Sequence, residues 1–249
     1  MMKMFAGICS AVLIAALFAV SPAKAATCTP TGYVRDGINL TAAQINPSGT
    51  VTGDVDATGC NIGVYFDTGT GTIDGASIHG ANYYGVMVNA YSSNVKVDVT
   101  NSNVYDIGET PFNGAQHGVA VYYYAMSTGS ATGTVSSNTI YQYQKGGIVV
   151  NGAGNNVVVT GNTVTGLGQV NYIAQNGIQF GWGANGVVRG NSITGNFYTG
   201  TVGVGPNSGG QNPPGWQYVS GGLLLYQPGS VMNSMNTYSG NQRNVLMVP

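Results

Sequence analysis

Charge is what this sequence has least of. Only 6% of its 249 residues are Asp, Glu, Lys or Arg, against about a quarter in ordinary globular chains. Surface helices need a charged, solvated face, so an extensively helical protein is disfavoured. Seven Lys and Arg in all cannot neutralise a row of phosphates, and no nucleic acid partner is expected. Attachment to a membrane surface through basic residues fails for the same reason. With two His and three Cys in the chain, no zinc site, other metal site or cofactor is expected. Glycine, by contrast, is abundant at 40 residues, and inside a helix each costs about 1 kcal/mol relative to alanine. Disorder is excluded by the 43% hydrophobic and 10% aromatic content, enough to bury a core.

One long apolar run occurs, from Ile8 to Val20, preceded by Lys3 and followed by Ser21-Pro-Ala-Lys-Ala25. This is the layout of a secretory signal peptide, and residues 1–25 are expected to be removed. The run is short for a span of about 20 residues, so no membrane span is expected after cleavage. Residues 26–249 are expected to form one domain, secreted to the periplasm, the cell surface or the medium. Arg35, Lys96, Lys145, Arg189 and Arg243 are its basic residues. Cys9 leaves with the leader, and Cys28 and Cys60 remain as an even pair in an oxidising compartment, which predicts one disulfide. By the chain-entropy argument it contributes about 3–4 kcal/mol.

Two phrases recur along the chain. The first is a glycine followed by an aliphatic stretch: Gly37-Ile-Asn-Leu40, Gly63-Val-Tyr-Phe66, Gly85-Val-Met-Val88, Gly118-Val-Ala-Val121, Gly147-Ile-Val-Val150, Gly177-Ile-Gln-Phe180 and Gly222-Leu-Leu-Leu225. Between most of these lies the second: Ile73 to Ile78, Val99 to Val104, Val135 to Ile140, Val159 to Val164, Val188 to Ile193 and a degraded Asn233 to Tyr238. Each repeat therefore holds at least two short β-branched strands separated by Gly, Asn, Ser and Thr turns. One repeat cannot bury its own apolar side chains, but stacked copies can. Alternation predicts Val86, Val88, Val119, Val121, Ile148, Val150, Ile178 and Phe180 facing inward, with Met87, Ala120, Val149 and Gln179 facing out. Asn138, Asn162, Asn191 and Asn236 should fall in one column and hydrogen-bond along the stack. Thr68, Thr70 and Thr72, alternating with glycine, read as a turn.

The pairing of Gly-Ile-x-Val with a later Val-x-x-Asn-x-Ile, as in Gly147 to Val164 and Gly177 to Ile193, resembles the coil of right-handed parallel β-helix proteins, the pectin-lyase-like superfamily. The resemblance runs from about Gly37 to Tyr238 and implies an all-β solenoid of about 7–8 coils. Residues 26–36 would then cap one end and Asn244 to Pro249 the other. For function it implies a range, since the superfamily includes polysaccharide lyases, glycoside hydrolases, epimerases, tailspikes and adhesins. Its lyases use an acidic calcium cluster, whereas Asp54, Asp56, Asp67, Asp74 and Asp98 are spread over several coils here. The closely grouped aspartates of its hydrolases are missing.

Placed in register, His79, Tyr105 and Tyr141 form one column and Tyr83, Gln116, Lys145 and Gln175 another. Together with Tyr84 and Tyr143 these turns predict an aromatic, amide-rich surface, which suits the apolar faces and hydroxyls of sugars. The same tyrosines are equally at home as strand and turn residues of a charge-poor β-protein. Trp216, in a long uncharged segment, is a further candidate platform or a cover for the side of the rod. If the protein is a catalyst, Asp106 and Glu109 with His117, or Lys145 as base, are its candidate groups. The reading is a secreted, monomeric β-helix with a non-catalytic role in binding a polysaccharide or cell-surface glycan, or a structural role at the surface. The alternative is a polysaccharide lyase or glycoside hydrolase.

Overall fold

The computed structural model describes residues 27–200 and 218–249; the expected leader with Cys9, and Trp216, lie outside the described residues. Those residues form strands and turns and no helix. The chain winds as a parallel solenoid with three faces. The first is built from Ile38–Ile45, Ile62–Phe66, Tyr84–Asn89, Val119–Tyr124, Gly146–Asn151, Asn176–Gly181, Gly221–Tyr226 and Arg243–Val248, each hydrogen-bonded in parallel to the next. At a strand spacing of about 4.8 Å this makes a rod roughly 35–40 Å long.

The other two faces are joined through the long strand Gly69–His79. They carry the second phrase in the expected register. Ile73, Val99, Val135, Val159 and Val188 pair in succession, as do Ile78, Val104, Ile140, Val164 and Ile193. All ten are fully buried. The corner between the two columns is a left-handed residue followed by a polar one. Gly161 and Gly190 take φ of 66° and 65° there, and Asn101, Ser137 and Met235 are held in the same region.

The predicted amide column forms at that corner. Each member accepts, on its side-chain oxygen, the backbone N–H of the residue one coil earlier: Ser102 from Ala76, Asn138 from Ser102, Asn162 from Asn138, Asn191 from Asn162 and Asn236 from Asn191. The Nδ2 groups of Asn138, Asn162 and Asn191 donate both to the next amide oxygen and to the carbonyls of Val99, Val135 and Val159. A bend in the chain thereby leaves none of these buried polar atoms unpaired.

Side chains across the core are matched in volume within each coil. The first face offers Phe66, Val88, Tyr123, Val150, Phe180 and Leu225 in turn; the facing positions of the second are Gly71, Val97, Gly133, Val157, Gly186 and Val231. Each aromatic ring therefore meets a glycine and each aliphatic residue a valine. A Cβ on Gly71 would sit 2.2 Å from the Phe66 ring and one on Gly186 2.8 Å from the Phe180 ring. Such alternation keeps the interior at native density without voids.

Several expectations need correction. Gly85 and Gly147 pair not with Gly118 but with Ala120, so Ala120 faces the core and Val119 faces out. The valine-glycine phrase of that coil is displaced by two residues because the preceding loop carries the insertion. The small residue is required in this column because a Cβ on Gly147 would lie 2.5 Å from the Gly177 carbonyl oxygen. Gly37 is no coil glycine either. With Asp36 it has positive φ, 77° and 53°, and forms the two-residue turn of a hairpin. That hairpin joins β1 (Thr29–Arg35) to β2 (Ile38–Ile45) in antiparallel fashion. β1 caps the first face, and the Cys28–Cys60 disulfide ties it down. At the other end Arg243–Val248 is an ordinary parallel rung rather than a cap. Thr70 and Thr72 belong to a strand, not a turn.

Candidate ligand-binding groove

The first predicted column exists. His79, Tyr105 and Tyr141 are paired across successive coils and stack, with ring centroids 5.1 and 5.0 Å apart and planes within 18° and 4°. Each is half-buried. Asp54 and Asp56, on one face of their strand, approach the His79 ring nitrogens at 3.1 and 3.9 Å. Among the described residues no group of three or more His, Cys, Asp and Glu is placed to hold a metal ion. Asp106 occupies another left-handed turn position, φ 53°, which Asp tolerates better than most residues. Its carboxylate makes no ion pair with another described residue.

The second column is corrected by the same two-residue slip: Tyr83, Gly118, Lys145 and Gln175 are in register, with backbone bonds from Gly118 N to Tyr83 O, Lys145 N to Gly118 O and Asn176 N to Lys145 O. Gln116 instead lies on the insertion loop, exposed. The fully buried Gln144 braces that loop from below. Its Oε1 accepts from Glu109 N and Asn113 N, and its Nε2 donates to the carbonyls of Ala115 and His117. The loop so held sets His117 Nε2 2.6 Å from Glu109 Oε1 and lays its imidazole on Tyr83, with centroids 3.9 Å apart. Glu109 and His117 are therefore brought together as a pair. Asp106 and Lys145 form no hydrogen bond or ion pair with it.

Tyr84 and Tyr143 are not ligand contacts, because both are fully buried. Tyr143 donates its hydroxyl to Asn196 Oδ1 at 2.6 Å inside the core. Tyr84 lies under β1, where Arg35 Nη1 donates to its hydroxyl and Arg35 Nη2 to the Gln116 carbonyl at 2.7 Å. Burial pushes both phenols far above the usual tyrosine range.

A concavity of about 1020 Å³ lies on the outer side of the first face. Its floor is built from outward residues of adjacent rungs, Val149, Gln179, Leu224 and Leu246 in one row, and Asn151, Tyr226 and Val248 in the next, with Gly181 between Asn151 and Tyr226. A hydrogen-bonded chain crosses it: Asn176 Nδ2 donates to Gln179 Oε1, Gln179 Nε2 to Asn151 Oδ1, and Asn151 Nδ2 to the Tyr122 hydroxyl. Gly181 keeps the floor open, since a Cβ there would come 2.9 Å from Asn151 Oδ1. Tyr122 lies toward one end; Trp182 and Tyr226, with centroids 5.0 Å apart, lie toward the other, where Leu246 to Pro249 of the last rung complete the lining. Trp182 is 43% exposed and sits at φ 52°, an uncommon conformation for a bulky residue. Bonds from Trp182 N to Tyr226 O and from Gly183 N to Gln227 O hold it there. Arg35, Gln116 and Lys145 line the side, and no Asp or Glu is among the described lining residues.

Lys145 donates to the Ala174 carbonyl at 2.9 Å and has no carboxylate partner among the described residues. Part of its surface meets solvent, yet its ammonium is packed tightly enough that desolvation pulls its pKa down to about 8. The folded state thus disfavours the charged form, and the unfolded chain binds more protons between about pH 8 and 10.5. Stability contributed at this site rises with pH across that window. A Lys145→Met variant is expected to be more stable than wild type at pH 7, with the gap closing as pH rises from 8 to 10.5 in parallel denaturation curves. A constant gap would mean that Lys145 titrates normally.

These observations place the chain in a family. Residues 36–213 match the model described as the right handed beta helix region, and the chain belongs to that family. No curated protein sequence matches it. Among solved structures it is similar to one titled "Crystal structure of Agl-KA catalytic domain", at 13% identity and a TM-score of 0.32, over 75% of this chain and 46% of that one. The chain thus spans less than half the length of that structure.

Sequence reasoning missed Arg35, Asn151, Asn176, Gln179, Trp182 and Tyr226. The signal was available in part: Gln179 stood among the outward positions, and reading the residues one and two places beyond each aliphatic phrase column by column would have collected Asn151, Gly181, Trp182 and Tyr226.

Proposed function

We propose that the protein is exported and binds a polysaccharide, without turnover, in the groove on its first face. The observation that carries this reading is the placement of the Tyr122, Trp182 and Tyr226 rings around a floor crossed by hydrogen-bonded amides, with no Asp or Glu in the described lining. Rings pack on the apolar faces of pyranoses, and fixed amides recognise hydroxyls by donor and acceptor geometry. The chain of bonds from Asn176 to Tyr122 fixes those amides before a ligand arrives, which lowers the ordering cost of binding. The disulfide is compatible with export.

Affinity gel electrophoresis against hydroxyethylcellulose, xylan, galactomannan, laminarin, polygalacturonate and alginate tests the reading. Retardation by at least one is expected, and Trp182→Ala is expected to weaken it by roughly 30-fold or more, the effect of losing a central aromatic contact. Migration unaffected by every polysaccharide would overturn the reading.

Lys145 supports a second reading. An amine with a pKa of about 8 in a sugar-sized groove is a competent general base, which suits a polysaccharide lyase. Unsaturated-uronate or reducing-end release that Lys145→Met abolishes would favour that enzyme over a binding protein.

A further inference from the structure

Outward residues of the first face fall in straight rows, because every rung is in register with the next. One such row is Asn89, Tyr124, Asn151, Gly181 and Tyr226. The groove follows it from Asn151 past Tyr226 to Val248, and Tyr124 lies one rung before Asn151, in contact with the groove residue Tyr122 at 5.7 Å between centroids. Tyr91, just past Asn89, lies nearly parallel to Tyr124, 6.2 Å away with an interplanar angle of 12°. Tyr33 of β1 flanks Tyr124 from the other side at 6.2 Å and 60°.

Tyr33 and Tyr124 pack partly against the outer cluster of the first face, yet three features of Tyr91 and Tyr124 point beyond packing. Tyr91 is 52% exposed, so one of its faces is stacked and the other open. The phenols buried within the solenoid are satisfied internally: Tyr123 donates to Val97 O, Tyr143 to Asn196 Oδ1, and Tyr65 accepts from Asn89 Nδ2. The hydroxyls of Tyr91 and Tyr124 make no hydrogen bond to any described residue, which leaves them available to an outside partner. Finally, the rings continue the aromatic line of the groove in the direction of the solenoid axis. From the Tyr226 rung to the Asn89 rung is four strand spacings, about 19 Å, longer than a disaccharide.

We propose that Tyr33, Tyr91 and Tyr124 form a stacking platform that extends the groove, so that the ligand is a linear polysaccharide lying extended along the solenoid axis rather than a short or terminal sugar. This rests on the glycan-binding reading of the groove. The part of the groove at Trp182 and Tyr226 holds one stretch of the polysaccharide, the amides of the floor the next, and the tyrosine platform the stretch that emerges beyond Asn151.

The test compares lengths. The polysaccharide retained most strongly in the panel is partly hydrolysed, and size-fractionated disaccharide and hexasaccharide are titrated calorimetrically into wild type, Tyr91→Ala and Tyr91→Ala/Tyr124→Ala. Wild type is expected to bind the hexasaccharide at least tenfold tighter than the disaccharide. Tyr91→Ala should remove most of that advantage and the double variant all of it, with disaccharide affinity unchanged. Because Tyr91 is half exposed, its single variant is a safeguard should the double variant fold poorly, and thermal unfolding reports on both. Fragments that bind with no length advantage, or a hexasaccharide affinity that survives Tyr91→Ala in a folded variant, would overturn the platform and leave the groove standing. If neither fragment nor parent polysaccharide binds wild type, groove and platform fall together.

Discussion

Asn162→Leu is expected to destabilise the protein by about 3–5 kcal/mol, among the largest effects of any single side-chain change that preserves volume. Asn162 is 1% exposed and its amide is used from every side. Its oxygen accepts from Asn138 N and Nδ2; its nitrogen donates to Val135 O, Thr160 O and Asn191 Oδ1. Leucine would strand the Asn138 N–H and the Val135 carbonyl in a dry corner, at about 1–3 kcal/mol each. The same exchange at Asn236, where the column ends and the residue is partly exposed, should cost only about 1 kcal/mol because water replaces the lost partners. Urea denaturation of the two variants decides the matter: equal costs would mean the column is decoration rather than structure.

The second large effect tests the volume matching of the core. Gly186→Val is expected to cost about 3 kcal/mol or more, since its Cβ would meet the Val157 carbonyl oxygen at 2.1 Å and the Phe180 ring at 2.8 Å. Phe180→Val alone should cost about 2–4 kcal/mol through the cavity it leaves. Together they place a valine opposite a valine, as Val150 and Val157 stand one coil earlier, which relieves the contact with the ring but not the approach to the Val157 carbonyl oxygen. The double variant is therefore expected to lose at least about 1 kcal/mol less than the two single losses combined. Additive losses in denaturation measurements would show that the ring and the glycine are placed independently.

How far the sequence discloses the molecule differs by face. The second phrase is legible because two buried aliphatic residues bracket a fixed corner, and an insertion inside it would break the Asn column; every copy from Ile73 to Ile193 keeps its register. The first phrase is less legible. At Gly118 the long insertion braced by Gln144 ends two residues later than the pattern suggests, and an alanine, Ala120, can stand where other coils have glycine. The hairpin at Gly37 imitates the phrase while obeying turn chemistry instead. The tyrosines were misjudged for a further reason: composition registers Tyr143 and Tyr91 alike, but one hydroxyl finds Asn196 across the core, 53 positions along the chain, and the other finds no partner. Only the stacking of coils decides which phenol is inside.

The parallel winding also governs how the molecule would yield under load. Each parallel rung is bonded to neighbours some 20 to 45 positions away along the chain, so position along the sequence and height along the rod advance in step. Stability in such an array is close to a sum of local terms between adjacent layers. Pulled from its carboxyl end, where Arg243–Val248 has one bonded neighbour, the rod should peel one turn at a time; pulled from the amino end, it meets first a reversed strand riveted by sulfur to the layer above.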